Sequence, residues 1–226
     1  MSSQKGRILH ARAEQAREKE QDLLKSLKLA DEATIAYADD GDYLGIAEVQ
    51  SSRFIAFKHL HRKTNDKAYL TLAKFAALSA VELSELSDDP KAATLPYFNL
   101  GKAYEEIKDY NNAIIYFEKA LSSPLPDSHN RTAVKADIKA HLSFAKYKSV
   151  DKSGLGLMSE AISELEVAEE QKYEKDVWLS GAHMRAAEML RQDNPQLAKE
   201  HLQKAKEIID GNPDLKLRAE QNNGKN

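Results

Sequence analysis

Between Leu100 and Ala120, small and large side chains alternate at a spacing that fits two short helices packed back to back. The run is Leu100-Gly101, Tyr104, Ala113, Phe117 and Ala120, with steps of +3, +9, +4 and +3 from the glycine. Glycine inside a helix costs about 1 kcal/mol relative to alanine, so its presence there signals close packing. Gly101 lets the second helix approach, and Tyr104 and Phe117 fill the space on either side. Such a unit cannot bury its apolar face alone, so it implies neighbours.

Composition agrees with a chain built from such units. Ala, Leu, Glu and Lys dominate the 226 residues, with 9 Gly and 6 Pro, as in a helical protein with a large core. The formal net charge of -3 gives no reason to expect nucleic acid or an anionic membrane as partner. The absence of cysteine excludes disulfides, thiolate metal sites and a Cys nucleophile. No run of about 18 apolar residues reads as a transmembrane helix. The charged N-terminus lacks the apolar core of a signal peptide, and a cytoplasmic location is expected.

Breakers divide the chain into helices. Residues 7–38 contain no Pro or Gly and read as one long amphipathic helix, ended by Asp39-Asp40-Gly41-Asp42. Its stretch Arg12 to Gln21 is nearly all polar and reads as a solvated face or a docking helix. Further helices are expected over about 43–62, 67–86, 90–108, 111–122, 128–149, 157–171, 175–191 and 195–209. Gly154-Leu155-Gly156 reads as a loop, and residues 211–226 as a frayed polar tail. No segment alternates as a strand would.

The opening spacing recurs. It is found at Ala56, His59, Ala68, Leu72 and Phe75, and at Ala186, Met189, Ala198, Leu202 and Ala205. Only its second half recurs at Ala161, Leu165 and Ala168. On Tyr97, Leu100, Gly101, Tyr104, Ala113, Phe117 and Ala120, with Pro124 and Pro126 flanking the expected proline, the chain resembles the tetratricopeptide repeat family. The resemblance implies an all-α, right-handed solenoid of antiparallel helix pairs. It covers residues 43–210 as four pairs in one continuous domain, with residues 1–42 as a long capping helix.

The resemblance also implies a groove lined by the first helix of each pair. Carried over by position, its candidates are Gln50, Arg53 and Phe57 in the first repeat, and Leu95, Phe98, Asn99, Lys102 and Glu105 in the best-matched one. Some members of the family clamp a peptide's terminal carboxylate with an Asn placed as Asn99 is. They add two cations from the following helix, for which Lys135 and Lys139 stand one turn apart.

Other motifs carry no chemistry. His59 and His61 point to different sides of a helix and do not share a metal. The other histidines lack ligand spacing. Asp39 to Asp42 stops a helix and lacks the ligand pattern of a calcium loop. Gly154-Leu155-Gly156 lacks what a phosphate loop needs. Trp178 reads as a core anchor. No cofactor, metal or catalytic residue is expected.

The function these observations imply is a non-catalytic scaffold that binds a protein or peptide. The alternative is a structural subunit that self-associates as a homo-oligomer through its first helix. A more remote one is a helical hydrolase without a recognisable motif.

Overall fold

The computed structural model describes residues 3–126 and 131–215. Among them are ten α-helices and no strand. The chain divides into two units, Met1–Pro126 and Asp127–Asn226. The first unit contains α1 (Gln4–Glu18), α2 (Leu23–Asp39), α3 (Tyr43–Thr64), α4 (Ala68–Glu85), α5 (Thr94–Glu106) and α6 (Tyr110–Ser122). The second contains α7 (Arg131–Lys148), α8 (Gly154–Val167), α9 (Lys172–Leu190) and α10 (Pro195–Asp210). Helices pack in successive pairs, α1 with α2, α3 with α4, α5 with α6, α7 with α8 and α9 with α10. The fold is an all-α solenoid type of helix pairs.

The helices start where short polar side chains cap them. Ser3, Asp22, Asp42, Asp109 and Asn194 each accept a hydrogen bond from the amide three residues on, at 2.9–3.3 Å. Such caps stabilise a helix by about 1 kcal/mol each.

The expected single helix over 7–38 is two helices. Gln21 adopts a left-handed conformation (φ 56°), and the Asp22 amide turns back to the Ala16 carbonyl at 2.9 Å. Asp22 then caps α2. The polar stretch Arg12 to Gln21 also hides a buried stripe of Ala13, Ala16 and Arg17. With Leu29, Ala30, Ala33, Tyr37 and Val49, the two alanines form a core joining α1, α2 and α3. The N-terminal element is therefore a helix pair. Its second helix buries Ser26, Ala30 and Ala33 at the +4 and +3 steps seen at Ala113, Phe117 and Ala120.

Aromatic rings set the distance between helices. Phe117 is fully buried on α6, and a methyl group added at Gly101 of α5 would lie 2.5 Å from its ring. Tyr37 of α2 plays this part at both Gly6 of α1, where a methyl would lie 2.6 Å away, and Gly45 of α3. Real carbon atoms do not approach so closely, so these helices pack at this depth only because the three residues lack a side chain.

The spacing assigned to the first full repeat is corrected. Ala68, Leu72 and Phe75 are exposed, Phe75 by 61%, while Ala73, Ala76, Ala77 and Ala80 are buried. The 22-residue α3 and the turn at Asn65 (φ 57°) rotate α4 away from the register of the α5–α6 pair. The core here joins Leu23, Phe54, Phe57, Leu60, Leu100 and Ala103 with the α4 alanines. In the second unit, Ala161 and Leu165 of α8 and Ala186, Met189, Ala198 and Ala205 of α9 and α10 are buried as their spacing requires.

Three further expectations are corrected. Gly154 and Gly156 belong to the first turn of α8, because the loop ends earlier, at Ser153. A methyl at Gly154 would meet the Ser143 carbonyl at 2.5 Å. Trp178 is half-buried on α9 and not a core anchor. The start of the tail is docked: Leu215 packs with Met184, Ala205 and Ile209, and the Asn212 amide donates to Asp176 at 2.8 Å. The rest of the expected tail lies outside the described residues.

Two glycine substitutions test this packing by their opposite signs. Gly101→Ala is expected to lower stability by about 1–3 kcal/mol through overpacking against Phe117. Gly156→Ala meets open space and is expected to raise stability by up to ~1 kcal/mol. Urea denaturation of both variants checks the pair of signs.

Candidate functional site

The candidate residues of the first unit lie on α3 and α5, which touch each other directly, and α3 also packs against α1. Between α1 and α3, the buried Arg17 donates to the Ser52 carbonyl at 3.3 Å, and His10 bonds the Ser52 hydroxyl at 2.8 Å. Glu14 and Glu18 balance the Arg17 charge at 3.7 and 2.7 Å. The face of these first helices is thus polar and cross-linked at α1–α3.

Towards α5 it becomes cationic over aromatic. Lys102 Nζ lies 4.2 Å from the centre of the Phe98 ring and 5.9 Å from that of Phe54. Lys58 covers Phe54 from its own helix at 5.3 Å. The Arg53 guanidinium lies 5.6 Å from the Phe57 ring and pairs with Asp31 of α2. Burial lowers the Arg53 pKa. Each such cation–ring contact contributes about 0.5–1 kcal/mol at an exposed position.

The rings themselves are mostly covered. Phe57 and Phe98 are buried, backed by Tyr69 and Phe117 at centroid distances of 6.4 and 5.9 Å. They serve as platforms for Arg53 and Lys102. Helical periodicity shows an apolar residue but not whether a cation lies over it. Phe54 and Lys58 were absent from the candidates, although Phe54 stands one helical turn before Phe57. Asp31 had no visible signal, because its partner Arg53 is distant in sequence.

Asn99 is distinctive. It is 8% exposed on α5, between Phe98 and Leu100 in sequence. Among the described residues its side-chain amide makes no hydrogen bond, and it is not closed off from solvent. Lys102 follows it at i+3, on the same side of the helix. Gln50, Leu95 and Glu105 are half-buried.

Lys135 and Lys139 lie on α7 in the second unit. Lys135 is exposed. Lys139 Nζ donates to both Glu160 and Glu164 of α8 at 2.6 Å. Burial opposes its charge, but the two carboxylates outweigh that effect and raise its pKa. Its charge is thus engaged within its own helix pair.

Two shallow clefts lie elsewhere in the first unit. One, of about 320 Å³, is lined by Asp40, Tyr43, Leu44, Leu83 and Leu86; the other includes Gln4, Ile8 and Leu9. Among the described residues no group of three or more His, Cys, Asp or Glu is placed to hold a metal ion. No described helix is long and apolar enough to cross a membrane.

Against this geometry, residues 96–124 match the tetratricopeptide repeat family model. The chain carries a tetratricopeptide repeat. The match spans α5 and α6, the pair locked by Gly101 and Phe117. A crystal structure of Podosopora anserina kinesin light chain TPR-like repeats is similar at 10% identity, covering 92% of this chain and 96% of that one, with a TM-score of 0.60. A point-substituted form of the same repeats is similar at 11% identity, covering 90% and 93%, with a TM-score of 0.61. At such identities the likeness shows the fold alone. Among curated proteins nothing matches.

Proposed function

We propose that this chain is a non-catalytic scaffold that holds an acidic peptide against α3 and α5 of its first unit. Tetratricopeptide repeats are in general protein-interaction scaffolds, and this chain has the fold. The observation that carries the reading is Asn99, a largely buried residue whose amide still reaches solvent, one turn from a lysine seated on aromatic rings. An amide and a cation so placed form charge-assisted hydrogen bonds with a carboxylate. Arg53 over Phe57, paired with Asp31, lies on the adjacent helix.

Phe98 and Phe57 support this chemistry from below. Their rings raise Lys102 and Arg53 on apolar platforms, where fewer rotamers remain to be frozen when a ligand binds. Specificity then comes from charge, with Gln50, Leu95 and Glu105 bordering the site. The alternative, self-association through the N-terminal helix, gains no support from its apolar stripe, because Ala13 and Ala16 are already buried against α2 and α3.

Selection of peptides from a random display library tests the proposal. The native chain is expected to enrich sequences rich in Asp and Glu. Lys102→Glu or Arg53→Glu is expected to weaken the selected peptides by about tenfold or more, ~1.4 kcal/mol. Enrichment without acidic bias, or binding unchanged in both variants, would overturn the acidic-peptide reading.

A further inference from the structure

The second unit contains a contact that its packing alone does not require. His183 of α9 is 2% exposed, and its Nδ1 lies 2.9 Å from Nδ1 of His201 on α10. The ring centroids are 5.1 Å apart. A hydrogen bond between two Nδ1 atoms needs one as donor and the other as acceptor. The closed pair therefore has a single hydrogen along that line and an acceptor ring that is neutral, so it holds at most one imidazolium.

From this geometry we infer that the His183–His201 pair is a proton-operated latch that holds α10 on α9 at neutral pH and releases it on acidification. Protonating the acceptor ring destroys the hydrogen bond. Protonating both rings sets two cations against each other through the two Nδ1 atoms, with His183 shut off from water. Once α10 has detached, each ring takes up a proton from water at the ordinary histidine pKa.

The surrounding charges favour the neutral pair. On α10, Lys204 opposes protonation of both rings, while Glu200 acts weakly in favour at His201. Burial first, then His201 and Lys204, push the His183 pKa down to about 4, and burial also lowers that of His201. From α7, the charged groups facing α9 meet other partners. His141, 3.9 Å from Asp137, takes Arg185 at 2.6 Å, and Lys148 takes Glu188 at 2.9 Å. From the α8 end, the Glu166 and Ala168 carbonyls take Lys175.

The pair sits within the α9–α10 packing, one of the larger helix pairings of the chain. α10 buries only Ala198, Ala205 and Ile209. Beyond it, Leu215 and the Asn212–Asp176 hydrogen bond fasten the chain to α9. Release of α10 would uncover Met184 and Val177, an apolar strip of α9.

The sign follows from proton uptake. Both folded pKa values are lowered, so the open form binds more protons than the closed one. Closure is fully favoured above the ordinary value of about 6.5 and is lost as pH falls from there towards about 4. For each proton taken up, the opening constant rises by up to about tenfold per pH unit.

Two measurements on the full chain test the latch together. Histidine ring ¹⁵N spectra are recorded from pH 8 to 4, with the pair assigned through His201→Gln. Amide hydrogen exchange gives protection of α10 relative to α5 over the same range. The expected result is that both rings titrate below the ordinary histidine range, His183 near 4. α10 protection should fall more than about tenfold between pH 7 and 5. In His201→Gln, whose side chain keeps a hydrogen-bonding partner but does not titrate, the fall should be shallower. Titration of both rings near 6.5 would overturn the latch. Depressed titration with unchanged α10 protection would overturn it equally, leaving the pair a static contact.

Discussion

An aromatic ring seated on a bare helix backbone sets the geometry of the first unit. Phe117 does this at Gly101, and Tyr37 does it twice, at Gly6 and Gly45. A ring in such a seat keeps its full area buried while the helix axes come closer than ordinary side chains allow. Tyr37 thereby touches α1 and α3 at once, and the polar cross-links between them, Arg17 and His10 with Ser52, form at that separation. The Phe117 ring in turn backs Phe98, which carries Lys102. At α5 and α6, packing depth in the core and the presentation of Lys102 on the surface are linked through the Phe117 and Phe98 rings.

A second recurring device reverses the chain between helices. Gln21, Gly41, Lys108 and Val150 each adopt a left-handed conformation, and each is followed by an aspartate whose amide returns to a carbonyl of the helix just ended, at 2.9 Å. Asp22, Asp42 and Asp109 then cap the next helix. Only one of the four left-handed residues is a glycine, which explains an uneven legibility. The reversal at Gly41 is plain in the sequence, since a glycine stands among aspartates. The reversal at Gln21 is invisible, since nothing there breaks a helix by propensity, and two helices therefore read as one. The pair they form also buries Ala30 where the α5–α6 pair buries Phe117, so the repeat spacing is present without its aromatic signal.

The helices that carry the candidate residues were legible in the sequence; the surroundings of those residues were not. Family spacing pointed to α3 and α5 and to Arg53, Asn99 and Lys102, which do lie on these two adjacent helices. Sequence could not show that Phe57 and Phe98 are covered, because that depends on Tyr69 and Phe117 behind them and on cations in front. Nor could it show that Lys139 is occupied by Glu160 and Glu164, a contact set by the α7–α8 crossing. The His183–His201 pair stands at no ligand spacing. It arises only because α10 folds back on α9.

The central claim is that ring and glycine act as one unit, and a double-mutant cycle between Gly101→Ala and Phe117→Leu tests it most directly. If the α5–α6 distance is set by the ring on the glycine, removing the ring relieves the added methyl. The two losses measured by urea denaturation should then fall short of their sum by about 1 kcal/mol or more. Losses that add within about 0.5 kcal/mol would contradict the account, because glycine and ring would then contribute independently.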